Sequence, residues 1–452
     1  MKTLIIISCL LVTAIISLDG QNIKRRGSLG LTTGTVSDSL AVSCAMDKPA
    51  GVVITGISNQ FFAKKTGLKT GDIILKLNGT LLESPSSYYN IVKKFRENDK
   101  VTMEIRSGKK TKTLTAVTPP LPFESSDDYD IIYDEVPFDE GWVRTITGKP
   151  RKEGKMPAIL FIQGYTCHSM EQLGLHPYGQ LIDGLTKKGY VVMRVEKPGE
   201  GDNTNTPSCN DIDLVTEIKA FEKGLDKLKS YDFVDTSNIF IWGHSMGGII
   251  APIIAAENSL KGMIIYGTGI KPWREYLVEM LRVQNPLFGV DYVENEKNMI
   301  HYYNIMHQMF VEKKTPNEIA KDTILGRLMT EVLQYDGENR LFTRNYQYMV
   351  QIDDFNLPEC WAKTDAYVLS MWGNCDVEAY SQYDHREIVN VVNHYHPDHA
   401  TFLKMKNTTH AFSKVESMKH GIDNYNYQYM IGNFNQDVVE ETDRWIQSIL
   451  VK

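Results

Sequence analysis

The stretch Ile239-Phe240-Ile241-Trp242-Gly243-His244-Ser245-Met246-Gly247-Gly248 decides the reading of this chain. A β-branched and aromatic run ends in Gly-x-Ser-x-Gly, and an apolar stripe, Ile249, Ile250, Ile253 and Ile254, starts directly behind it at helical spacing. Strand, tight turn and helix in that order form the context in which this motif holds an exposed serine at the tip of a strained turn. Gly243 and Gly247 leave room where strand and helix pass closely. The helix start behind Ser245 offers the N–H of Met246 and a positive dipole end to a developing oxyanion. The bland alternative is the strand-to-helix turn of any α/β protein with an incidental serine.

From roughly Asp130 to its C-terminus the chain resembles the α/β-hydrolase superfamily of serine hydrolases. The resemblance implies an α/β fold over residues 130–452, with a mostly parallel central sheet flanked by helices. Asp130 to Pro150 reads as an antiparallel hairpin, and Ala158 to Tyr165 as a buried central strand. At the end of that strand the superfamily keeps its second oxyanion donor. Tyr165 N–H is the candidate here, with Thr166 next in line, although Gln163 stands where a histidine often precedes the glycine. Tyr190 to Val195 is the neighbouring strand, followed by the loop Lys197-Pro-Gly-Glu-Gly-Asp202. Cys167 and Cys209 fall just past these two strand ends, on one rim, and are the expected disulfide pair. Residues 271–357 lack β-branched runs and read as an inserted helical cap. Its Trp273, Tyr302, Tyr303, Met306 and Met309 either line an apolar pocket or pack helix on helix. Ala366 to Gly373 resumes the sheet and ends in Gly-x-x-Asp, where the superfamily places its orienting acid. Asp376 is the candidate, with Glu378 and Asp384 as alternatives. His410, after the last strand Thr401 to Lys406, is the candidate general base, completing the superfamily's Ser…Asp…His order.

The preceding segment, 21–117, contains several short strand-like runs and one amphipathic pattern, Tyr88, Tyr89, Ile91, Val92 and Phe95. Gly67-Leu-Lys-Thr-Gly-Asp-Ile-Ile74, closed by Asn78-Gly79, resembles the PDZ domain of secreted bacterial proteins, a small β-rich fold. Leu29, Gly30 and Leu31 then stand at that family's carboxylate-binding loop, whose backbone N–H groups can receive a peptide C-terminus while a strand edge accepts an added strand. The stretch Thr32 to Ala50 departs from compact family members, which leaves a rigid spacer as the other reading. Residues 118–129, with three prolines and several acids, read as a stiff, solvated linker.

Length and composition agree with this division. The 452 residues suit two or three domains, and 42% apolar with 23% charged residues is ordinary for a globular protein. A net charge of −7 without a basic stripe argues against nucleic acid or an anionic membrane surface as partner. Lys2 followed by the apolar run Leu4 to Leu18 reads as a signal peptide over 1–20, too short for a stable membrane span. Export to a periplasmic or extracellular location follows. Beyond the signal stand Cys44, Cys167, Cys209, Cys360 and Cys375, an odd number that leaves at least one free thiol.

One motif competes. His394-Tyr-His396-Pro-Asp398-His399 spells a metal signature similar to that of metallo-β-lactamase-like hydrolases, but too little chain follows it to supply further ligands. No metal and no cofactor is therefore expected. The expected function is hydrolysis of an ester through an acyl-enzyme on Ser245, His410 and Asp376. A peptide substrate, cleaved in the manner of prolyl-oligopeptidase-type enzymes, and a non-catalytic PDZ-bearing scaffold are the alternatives.

Overall fold

The computed structural model describes residues 22–58 and 60–452, so the expected signal peptide lies outside the described residues. Six strands build the first sheet: β1 (Leu31–Thr35), β2 (Val52–Ile57), β3 (Ile73–Leu77), β4 (Thr80–Leu81), β5 (Lys100–Ser107) and β6 (Lys110–Val117). They are ordered β1-β2-β3-β5-β6, with β4 paired to β3. Alternation along β5 buries Val101, Met103 and Ile105 on one face, as a half-covered antiparallel strand requires. These side chains share a core with Leu29, Ile54, Leu77 and Tyr88 of the helix Pro85–Val92. A capping box on Ser84 and a proline at its first turn start that helix. β1 is an edge strand, paired on one side with β2.

The second sheet has eight strands. β7 (Tyr129–Phe138) and β8 (Gly141–Pro150) form a hairpin; β9 (Met156–Ile162), β10 (Val191–Val195), β11 (Val234–His244) and β12 (Gly262–Tyr266) follow. A two-stranded ribbon, β13 (Arg340–Leu341) and β14 (Arg344–Asn345), interrupts the order before β15 (Tyr367–Gly373) and β16 (Ala400–Met405) complete it. The spatial order is β16-β15-β12-β11-β9-β10-β8-β7, parallel from β16 to β10. β10 and β12 are buried throughout, which is why they read as continuous apolar runs. One face packs on the helices Leu214–Ser230 and Met246–Ala255, and the other on Pro177–Lys188 and Asp437–Leu450.

Between β12 and β15 the chain is mostly helical and carries its own core. Tyr302, Met306 and Met309 pack inside that core and Tyr303 is exposed; of the residues singled out from the sequence, only Trp273 reaches the cavity described below.

The segment 118–129 is held rather than free. Glu124 pairs with Arg194 at 2.6 Å, and Arg25 lies over the Phe123 ring while donating to the carbonyls of Leu121 and Pro122. Arg25 and Arg26 dock the first domain on the second. Arg25 pairs with Glu171 at 2.5 Å and with Asp202; Arg26 reaches Glu171 at 2.9 Å, and its backbone N–H donates to Asp202. Both carboxylates are buried there. The stretch reads as a solvated linker because these partners lie far away along the chain and leave no local trace.

Candidate active site

Ser245 sits between β11 and the helix Met246–Ala255 with φ 53° and ψ −116°, a conformation side-chain-bearing residues rarely adopt. Its own N–H donates to the Tyr266 carbonyl at 2.8 Å, and its carbonyl accepts from Gly248 N–H at 2.9 Å, so the strained turn is held from both sides. A Cβ on Gly247 would collide with the Ile162 carbonyl, which explains the glycine.

His410 follows β16, and Asp376 follows β15. The Asp376 carboxylate is fully buried: Oδ1 accepts from the N–H groups of Glu378 and Ala379, each at 2.8 Å, and Oδ2 lies 2.8 Å from His410 Nδ1. That contact assigns the proton to Nδ1 and leaves Nε2 as the nitrogen facing outward. Gly267, at φ 62°, lies flat against this pair; a Cβ there would stand about 3 Å from both His410 Nδ1 and Asp376 Oδ2. Ser245 and His410 line the same two cavities. Glu378 Oε2 stands 3.2 Å from His410 Nε2, and Tyr425 donates to its other oxygen at 3.1 Å. Burial alone pulls the His410 pKa down, but Asp376 and Glu378 outweigh it and push it up to about 9. Asp384 makes no such contact with the imidazole: it lies 3.7 Å from Lys271, and burial pushes it up to about 6.

A second set of contacts, not read from the sequence, braces the turn. His244 is buried with Nε2 2.9 Å from the His410 carbonyl, which can only accept, so Nδ1 accepts from Tyr178 Oη at 2.6 Å. Gly164 N–H donates in turn to Tyr178 Oη at 3.2 Å. One tyrosine and one histidine thus join three loops: those bearing Tyr165, Ser245 and His410. The candidate donors Met246 and Tyr165 both border one cavity with Ser245, and Thr166 borders the neighbouring one.

The cavity bordered by Met246 and Tyr165 measures about 310 Å³ and lies under the helical insertion, walled by Trp273, Tyr276, Met280, Phe288 and Phe342. A second, of about 240 Å³, opens on the other side of Ser245 between His168, His176 and Tyr178. An apolar cavity and a more polar one thus both border Ser245.

Cys167 and Cys209 form a disulfide that ties the loop after β9 to the loop after β10; Cys44, Cys360 and Cys375 are free. The histidines of the competing metal motif are used locally. His396 Nε2 lies 3.0 Å from the Ala362 carbonyl, and the His399 ring stacks on Tyr367. In the first domain, Leu29 is buried, Gly30 has φ 61°, and its N–H donates to Ser28 Oγ at 3.2 Å, forming the loop that enters edge strand β1.

Residues 157–334 match the family model described as serine aminopeptidase, S33, and residues 15–106 match the PDZ domain. The chain therefore joins a PDZ domain to a domain of the α/β-hydrolase superfamily. Among curated proteins it is 24% identical over 237 residues to Esterase EstD of Thermotoga maritima, covering 49% of this chain and 54% of the esterase. It is 34% identical over 107 residues to a probable periplasmic serine endoprotease DegP-like of Pseudomonas savastanoi pv. phaseolicola, covering 24% of this chain and 22% of that protein. The chain thus spans about half the length of the first relative and about a fifth of the second. Among solved structures, Est1E from Butyrivibrio proteoclasticus with bound ferulic acid aligns with 71% of this chain and 100% of its own at a TM-score of 0.46 and 17% identity.

Proposed function

We propose that this protein is an exported serine hydrolase that cleaves an ester through an acyl-enzyme, with a PDZ domain that takes a peptide C-terminus. The observation that carries the reading is the strained Ser245 bordering the same cavities as His410, whose Nδ1 is held by the buried Asp376 carboxylate. Once Glu378 leaves Nε2, His410 takes the Ser245 proton as Oγ adds to the substrate carbonyl. Asp376 stabilises the imidazolium, and the N–H groups of Met246 and Tyr165 receive the oxyanion. The proton then passes to the leaving group, and a water repeats the cycle to free the acid. The aromatic chamber supports an apolar acyl group. Peptide or amide cleavage is the second reading, favoured by the match to the serine aminopeptidase family. The location outside the cytoplasm, periplasmic or extracellular, is supported by the Cys167–Cys209 disulfide and by the relatives named periplasmic.

A fluorophosphonate probe tests the chemistry: labelling of the wild type and its loss in Ser245→Ala are expected. A well-folded wild type that resists labelling would favour the scaffold reading instead. Nitrophenyl esters of graded acyl length beside aminoacyl-nitroanilides then separate esterase from peptidase. For the PDZ groove, a peptide with a free C-terminus is expected to bind and its amidated form to bind weakly.

A further inference from the structure

We propose that Lys197 is a positioning residue for the oxyanion site, acting through the peptide between Gly164 and Tyr165; this rests on the hydrolytic reading above. Lys197 follows β10 and is fully buried. Its Nζ donates to the Gly164 carbonyl at 2.6 Å and lies 3.4 Å from the Tyr165 carbonyl. From the helical insertion, Arg344 donates to that same Tyr165 carbonyl at 3.1 Å. Two cations from separate parts of the chain thus converge on two consecutive carbonyls.

Glu217, on the helix Leu214–Ser230, holds both cations, at 3.0 Å from Lys197 and 2.7 Å from Arg344, and accepts from Tyr348 Oη at 3.0 Å. All three charged side chains are fully buried. A buried ammonium is costly, and an ordinary strand end needs only a neutral donor or a water to satisfy its carbonyl. The effect of choosing a charge follows from peptide geometry. The unit is planar and trans, so a carbonyl fixed on one side directs the Tyr165 N–H to the opposite side. The charge-assisted bond also polarises the amide, making that N–H a stronger donor to a developing oxyanion. Gly164 itself packs against the turn, since a Cβ there would stand 3.3 Å from Ser245 Cβ. Arg344 brings the insertion into the same network, so the element that walls the acyl chamber also fixes the donor loop.

The test uses Lys197→Met and Lys197→Gln in the full chain, both of which leave Glu217 with Arg344 and Tyr348. An activated ester gives kcat and KM, and an apolar trifluoromethyl ketone, whose adduct with Ser245 places an oxyanion in the site, gives an inhibition constant. For Lys197→Met a fall in kcat on the order of 10- to 100-fold is expected, with KM held within about twofold and the ketone weakened by the same factor as kcat. Lys197→Gln, which retains an N–H, is expected to lose less. A folded Lys197→Met enzyme with kcat within about twofold of wild type overturns the proposal. So does a kcat loss that the ketone does not mirror, since that would mark a packing role.

Should neither variant fold, the wild-type kcat profile decides. Burial pushes Lys197 down to about 8, against the opposing pull of Glu217 and Glu200, with Arg344 and His168 also facing it. A step down in kcat above that pH supports the proposal, and a flat profile overturns it. Failure of the hydrolytic reading is separately visible, as turnover by Ser245→Ala equal to that of wild type.

Discussion

The Glu378 carboxylate lies 3.2 Å from His410 Nε2, the nitrogen that the proposed general base has to keep free. With Asp376 2.8 Å from Nδ1, the imidazole is bracketed by two carboxylates, and its charged form is favoured to about pH 9. His244 and His385 also face it, both neutral because burial holds them below the usual imidazole range. In the free enzyme the base form therefore becomes available only as pH rises toward 9, and kcat/KM should climb until, above about 8, deprotonation of Lys197 turns the profile over. Glu378→Gln removes one of the two carboxylates and should move this limb to lower pH, raising kcat/KM near neutrality. A limb that stays in place in Glu378→Gln would refute the assignment. The linkage to stability has the opposite sense. A histidine whose pKa rises on folding contributes fully below its ordinary 6.5, and the contribution is lost as pH rises through about 9.

Strain at Ser245 separates stability from activity. Its φ of 53° and ψ of −116° cost of order 1–3 kcal/mol for a residue with a Cβ, and glycine escapes this at an entropic cost of roughly 0.5–1 kcal/mol. Ser245→Gly should therefore be more stable than wild type by about 1 kcal/mol, whereas Ser245→Ala, which keeps the Cβ, should gain nothing from strain relief. Both should lose hydrolysis. Chemical unfolding of the three proteins side by side checks this, and equal midpoints for the glycine and alanine variants would contradict it.

The disulfide spans 42 residues, for which chain entropy gives at most about 4 kcal/mol. Cys167→Ser with Cys209→Ser should lower the unfolding midpoint under oxidising conditions and abolish its sensitivity to reductant. A midpoint unchanged in the double variant would mean that the two rim loops are held by their ion pairs alone.

Those ion pairs give a further expectation. Glu171→Gln with Asp202→Asn strips Arg25 and Arg26 of buried partners, and uncompensated buried charges typically cost roughly 3–5 kcal/mol. The PDZ domain should then leave its seat, seen as a larger radius of gyration in solution scattering and faster proteolysis within 118–129. Unchanged scattering would show that the remaining contacts suffice.

How much of this was legible in the sequence follows the range of each interaction. Ser245 was readable because its strand, turn and helix are contiguous and each leaves a periodic trace. Asp376 and His410 were picked out by the chain order of the superfamily and by their places after strands. Tyr178, Lys197 and Arg344 leave no comparable trace: Tyr178 meets His244 across 66 residues, Lys197 meets Gly164 across 33 and Arg344 meets Tyr165 across 179, and no local pattern encodes such meetings. Glu378 reads from the sequence as an alternative to Asp376, because spacing ranks acids near the imidazole without saying which edge of the ring each one faces; it lies on the Nε2 edge. The tyrosine and methionine content of the insertion was visible, but whether such a stripe faces a neighbour helix or a chamber is decided only by how the helices rotate.

Arg25 and Arg26 are seated on buried carboxylates of the second domain. These residues lead straight into Ser28-Leu29-Gly30, so the loop that would grip a chain terminus starts from an anchored point instead of the end of a tether. A flexible leash would let one molecule touch both domains over a spread of lengths; a bolted joint turns the pair into a gauge of a single span.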